Sequence, residues 1–183
     1  MPRDRYGALQ RLIHWTVALL VLGLLAIGFT LATLGFEGAR DTFGIDVTNL
    51  LYKYHKTFGV IVLGLMTLRL LLRLAKPPPP YHPPIPSFYR TAGRINHWAL
   101  YALLLAQPVV GWAATAAGGF PIEFFDARLP PILSKDEALS ETLYGVHGVL
   151  GVAILALAAL HASAAIMHWL VRRDGVMHRM TFG

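Results

Sequence analysis

Most of this chain consists of stretches without Asp, Glu, Lys or Arg that are too long for anything but membrane-spanning helices. One runs from Leu12 to Gly35, a second from Ile95 to Ile122 and a third from Thr142 to Val171. Inside hydrocarbon every backbone N–H and C=O must be bonded within the segment, which a helix of about 20 residues achieves. A further stretch, Thr57 to Leu68, is shorter. It becomes a span if Lys53, Lys56, Arg69 and Arg73 snorkel towards the two interfaces. The pattern predicts an all-α membrane protein, a four-helix bundle with spans at about 8–35, 50–74, 93–117 and 141–171. The 183 residues form a single transmembrane domain over 1–183, with no room for a separate soluble one. The first stretch is longer than the apolar core of a signal peptide, about 7–15 residues, and is expected to be retained.

Charge sets the direction of the spans. Residues 1–11, 69–94 and 172–183 carry 11 Lys/Arg against 2 Asp/Glu, whereas residues 36–56 and 118–141 carry 5 against 8. Basic loops stay on the cytoplasmic side. Both termini are therefore expected in the cytoplasm. The net charge of +6 follows this topology and does not indicate nucleic-acid binding. The segment KPPPPYHPPIPSFYR at 76–90 reads as a semi-rigid extended spacer. Pro108 is expected to kink the third span.

Into this apolar frame the sequence places His14, His55, His97, His147 and His161, with His168 close behind. Ionisable groups within a membrane are costly and mark function. The chain has no cysteine, which excludes thiolate-held clusters and covalent haem attachment. The direction of each span sorts the histidines by depth. His55 and His147 fall near the outer face and are the only two available there. His14, His97, His161 and His168 compete on the inner side, and depth alone does not choose among them. His147 and His161 are 14 residues apart. That is a rise of about 21 Å with a return to within about 40° of the same helix face. One helix thus offers a ligand at each of two levels. Zinc and copper sites gather their ligands at one point, so two levels favour two non-covalent haems. Gly145, Gly148 and Gly151 around His147, and Gly59 and Gly64 after His55, suit either a flat cofactor or close helix packing.

The segments LQRLIHWTVALL, YKYHKTFGVIVLGLMTLRLLLRL, INHWALYALLLAQPVVGW, LYGVHGVLG and LHASAAIMHW, in this order and spacing, resemble the bacterial cytochrome b561 family along essentially the whole chain. The resemblance implies two b-type haems. It makes His14 and His161 the ligands of the inner haem iron, and His55 and His147 those of the outer. His97 and His168 match histidines on the cytoplasmic side, where the family meets quinone. It further implies single-electron transfer between a donor at the outer face and the ubiquinone pool, the donor being superoxide in some members. Two axial imidazoles leave iron without an open position, which suits electron transfer.

Two alternatives stand beside this reading. One is a cytochrome b subunit of a larger dehydrogenase, such as a hydrogenase or formate dehydrogenase, fed by a periplasmic or membrane redox partner. The other is a non-redox membrane scaffold. The outer segments are acidic overall, so attraction of an anionic donor would fall to local cations among Arg40, Lys53, Lys56, Arg128 and Lys135. Lys53 and Lys56, flanking His55, are the pair expected to steer it; the plainer reading is that they anchor the second helix at the interface.

Overall fold

A computed structural model describes residues 5–182. Helix α1 covers Ala8–Phe43, α2 Ile45–Ala75, α3 Ser87–Ala117 and α4 Glu137–Met167. All four are long and apolar enough to cross a membrane. A five-residue π-helical turn, His168–Arg172, continues α4, and a 3₁₀ turn spans Met177–Arg179. Within the bundle Ile13, Val17, Val21, Val62, Met66, Tyr101 and Ile154 form the core. Large apolar side chains such as Leu19, Leu22, Leu71 and Val149 point outward, as lipid-facing surfaces require.

The helices outrun the expected spans at most ends, and the breaks have local causes. Helix α1 bends at Gly35, whose φ of 65° is open to glycine, where its uncharged stretch ends. The chain then turns at Gly44, with φ of 81°, directly into α2. Helix α3 runs on through Pro108 and stops at Ala117. Helix α4 begins after Asp136, whose carboxylate accepts the Leu139 N–H at 3.0 Å.

Between α3 and α4 lies an element absent from the all-helical expectation. Strands β1 (Ile122–Phe124) and β2 (Ala127–Leu129) pair antiparallel, Ile122 opposite Leu129 and Phe124 opposite Ala127. Phe125 in the turn takes a positive φ of 54°. The hairpin docks on α2. The Phe125 N–H donates to Thr57 Oγ1 at 3.2 Å, and the Thr57 hydroxyl to the Glu123 carbonyl at 3.3 Å. Alternation in so short a segment, next to a long apolar stretch, gave no strand signal.

At the other end the termini meet. The Tyr6 N–H donates to the Arg179 carbonyl at 3.1 Å, Arg11 Nη1 to the Thr181 carbonyl at 2.7 Å and Trp15 Nε1 to the Met180 carbonyl at 2.9 Å. Arg179 donates to the Pro79 carbonyl and stacks on Tyr81 at 4.0 Å. The proline-rich segment is thus tied to the C-terminal tail. Helix α1 packs along α2, and α3 along α4, while α4 touches α1 only lightly and α2 scarcely at all. His14 and His161 face each other from α1 and α4, and His55 and His147 from α2 and α4.

Candidate functional site

At the hairpin end, His55 of α2 and His147 of α4 face each other with ring centroids 6.1 Å apart and planes at 73°. At the end carrying the termini, His14 of α1 and His161 of α4 stand 6.0 Å apart at 78°. An imidazole nitrogen binds a metal at about 2 Å and lies about 1.1 Å from its ring centre, so two rings in line across one metal have centroids about 6.2 Å apart. Both pairs have this spacing. His97 of α3 also approaches His161, at 5.2 Å. That is about an ångström too short for an in-line arrangement, which puts His97 beside the pair rather than across from His161.

Two imidazoles alone leave a metal short of the four ligands that zinc requires. Among the described residues no third His, Cys, Asp or Glu joins either pair to hold a bare ion. A porphyrin supplies its own in-plane nitrogens and needs only the two axial ones. The backbone around the pairs suits a flat group. A Cβ on Gly59, Gly64, Gly145 or Gly148 would meet no other atom within 4 Å. These four therefore do not serve helix packing. Gly151 alone has a neighbour, Gln107 Nε2 at 3.6 Å.

Two further glycines make the hairpin-end pair possible. A Cβ at Gly28 of α1 would lie 3.0 Å from His55 Cε1, and one at Gly111 of α3 would lie 2.8 Å from His147 Cε1. Both rings rest directly on glycine backbone. The His147 Nδ1–H donates to the Gln107 carbonyl at 3.1 Å, while Gln107 Nε2 donates to the His147 carbonyl at 3.0 Å. A carbonyl on Nδ1 fixes the tautomer and leaves Nε2 free as a ligand. Neither the glycines nor Gln107 stood out in the sequence. The signal was present in the register: each helix repeats a site residue after 14 positions, His14 and Gly28, His55 and Arg69, His97 and Gly111, His147 and His161. Each of the two levels thus draws one residue from every helix.

His168 lies apart from both pairs. It is buried, its Nδ1–H donates to Asp174 Oδ2 at 2.6 Å, and its ring meets the edge of Tyr89 at 5.7 Å. Arg172 reaches the same carboxylate at 3.2 Å and lies over Tyr89 at 4.4 Å. Burial pushes the Asp174 carboxyl up, but the hydrogen bonds from His168, the Val176 N–H and Arg172 outweigh it and hold the group below the usual range. The π turn at His168 delivers the histidine to this partner, a geometry frequent at functional sites. A cleft of about 340 Å³ opens here, lined by His168, Trp169, Arg173, Met177 and His178 among others. His97 and His168 therefore keep different company: His97 the terminal-end pair, His168 the C-terminal tail.

The lysines and arginines that the sequence left to snorkel have protein partners. Lys53 Nζ lies 2.9 Å from Asp126, and Lys56 Nζ lies 2.5 Å from Glu123 and 2.9 Å from the Pro121 carbonyl. Both clamp the hairpin onto α2, and each cation carries its own counter-charge. Arg69 turns into the bundle and donates through Nε to the Tyr101 hydroxyl at 3.1 Å.

Residues 5–183 match the sequence profile of the family described as prokaryotic cytochrome b561. Among similar proteins, the Escherichia coli protein named cytochrome b561 homolog 2 is 29% identical over 97% of this chain and 91% of its own length. The Yersinia pestis protein named probable superoxide oxidase CybB is 30% identical over 96% of this chain and 95% of its own. Cytochrome b561 homolog 1 of Escherichia coli is 26% identical over 97% of both chains.

Proposed function

The chain belongs to the prokaryotic cytochrome b561 family of membrane electron-transfer proteins, and on that premise we propose that it carries single electrons across the bacterial inner membrane between an outer donor and ubiquinone. The observation that supports this reading is the pair of histidine couples, 6.1 and 6.0 Å, at opposite ends of one bundle. His55 and His147 would hold an outer haem b, His14 and His161 an inner one. When bound, such a group takes up and releases one electron with little change in geometry. The chain's own part would be to fix the imidazoles and to exclude water with the apolar helix faces. The basic end with both termini is assigned to the cytoplasm on the strength of its charge.

Superoxide is the proposed donor, by likeness to the Yersinia pestis relative whose name carries that activity. Lys53 and Lys56 flank His55 of the outer pair in the sequence. Because Asp126 and Glu123 already pair with them, and exposed charges are screened over about 8 Å at physiological salt, the salt dependence of reduction should be shallow. The test is purified, oxidised protein mixed with a superoxide generator while the haem absorbance is followed. Reduction of bis-histidine haem, abolished by superoxide dismutase, is the expected result. No reduction by superoxide, with prompt reduction by a protein donor, would move the assignment to a subunit of a larger dehydrogenase.

His168 is proposed to act at the quinone end. With Nδ1 committed to Asp174, Nε2 is left to hydrogen-bond a quinone carbonyl at the tail cleft, and the Asp174 carboxylate steadies the ring's proton. His97, beside the inner pair, is the proposed second contact. Both His168→Ala and Asp174→Asn should keep two intact haem spectra and slow quinone reduction, by about 100-fold or more where proton-transfer assistance is lost. Quinone kinetics equal to wild type in both variants would reduce the His168–Asp174 pair to a structural tie for the C-terminal tail.

A further inference from the structure

Arg69 is a partly buried charged group on α2 whose pairing is incomplete. Its Nε donates to the Tyr101 hydroxyl at 3.1 Å, yet its Nη1 is buried and has no hydrogen-bond partner among the described residues. Tyr101 itself is 7% exposed, so this contact draws the partly buried guanidinium against the bundle. Arg73, one turn on, lies over Trp98 at 5.4 Å and over Tyr101 at 5.5 Å. Among the described residues no carboxylate forms an ion pair with either arginine, although Lys53, Lys56, Lys135, Arg40 and Arg172 each have one. A buried charge without a counter-charge is costly, and such groups are found paired. In the 14-residue register Arg69 takes the place at the inner level that His55 takes at the outer, on the same helix.

We propose that Arg69, braced by Tyr101 and backed by Arg73, binds a carboxylate of the inner haem's propionates. This rests on the reading that His14 and His161 hold that haem. A guanidinium pairs with a carboxylate through charge and hydrogen bonds together, and a lysine ammonium in its place keeps the charge. The geometry fits the role: Nε is held by the tyrosine hydroxyl, and Nη1 is buried with its donors unused. A cation at this point also favours the reduced, more negative form of the inner site, the form that would hand an electron to quinone.

The experiment compares wild type with Arg69→Met and Arg69→Lys, purified with haem bound and titrated spectroelectrochemically after a pyridine haemochrome count. In Arg69→Met one of the two midpoint potentials should fall and the other stay fixed. In Arg69→Lys, which keeps the charge, the fall should be smaller. Should Arg69→Met lose one haem, Arg69→Lys decides: retention supports pairing by charge, and loss overturns it in favour of guanidinium packing on Tyr101. Two haems with both potentials unmoved in Arg69→Met overturn the assignment. So does a shift that appears only in vesicles containing anionic lipid, because a lipid headgroup would then be the partner. A wild-type count of one haem or none would instead overturn the two-haem reading on which the site rests.

Discussion

Replacing His55 or His147 with alanine should remove one haem and leave the other, and replacing His14 or His161 should remove the second and leave the first. Each variant would keep about half of the wild-type haem, because one axial ligand cannot hold iron in a bis-histidine site that has no covalent link. The prediction follows from the two ring separations, 6.1 and 6.0 Å, each matching a metal held between two imidazoles and each joining helices that otherwise pack lightly. His97→Ala is the internal control. At 5.2 Å from His161 its ring is too close to share a metal in line, so that variant should keep both haems. Pyridine haemochrome assay with low-temperature spectra of the α-band reads the result. Loss of the same haem in all four ligand variants, or loss of a haem in His97→Ala, would contradict the pairing.

The second large effect is expected from side chains added rather than removed. Gly111→Val places a Cβ 2.8 Å from His147 Cε1, a distance that real Cβ contacts essentially never show, and Gly28→Val places one 3.0 Å from His55 Cε1. The imidazoles must move. His147 is the less free of the two, because its Nδ1–H is held by the Gln107 carbonyl. Displacing a ligand from its support typically weakens metal binding 10- to 100-fold. Gly111→Val should therefore lose most of the haem at the His55–His147 level, with Gly28→Val following to a lesser degree. The His14–His161 level should be untouched in both. Gly59→Ala and Gly145→Ala, where a Cβ would meet no protein atom within 4 Å, separate the two roles of glycine: steric trouble there would have to come from the bound group itself. Haem content and thermal stability measured together distinguish site loss from failure to fold. An unchanged spectrum in Gly111→Val would show that the His147 ring of α4 does not rest against Gly111 of α3.

Much of the fold was legible in the sequence because a membrane removes alternatives. Once four stretches lack charge for long enough, hydrocarbon leaves only helices for them, and the expected spans 8–35, 50–74, 93–117 and 141–171 lie within α1–α4 and the π turn that continues α4. The ends were less legible. Helices do not stop where apolarity stops, so α1 continues past Gly35 to Phe43 and α4 starts at Glu137. The hairpin at 122–129 could not be foreseen, since its strands are three residues long and owe their place to Thr57, Lys53 and Lys56 on a distant helix. Those same contacts changed the meaning of the two lysines from bare cations to clamps.

What the sequence by itself determined is the membrane class, the helix count, the family resemblance and the set of histidines from which two couples are drawn. Apolar length and residue type encode these one position at a time. What only the tertiary structure decided is who faces whom. It set His97 beside His161 rather than across from it, rested His55 and His147 on Gly28 and Gly111, tied His168 to Asp174 through a π turn, and turned Arg69 inward onto Tyr101. Those facts depend on the rotation and spacing of packed helices. A 14-residue repeat fixes them only when four helices are set side by side in register.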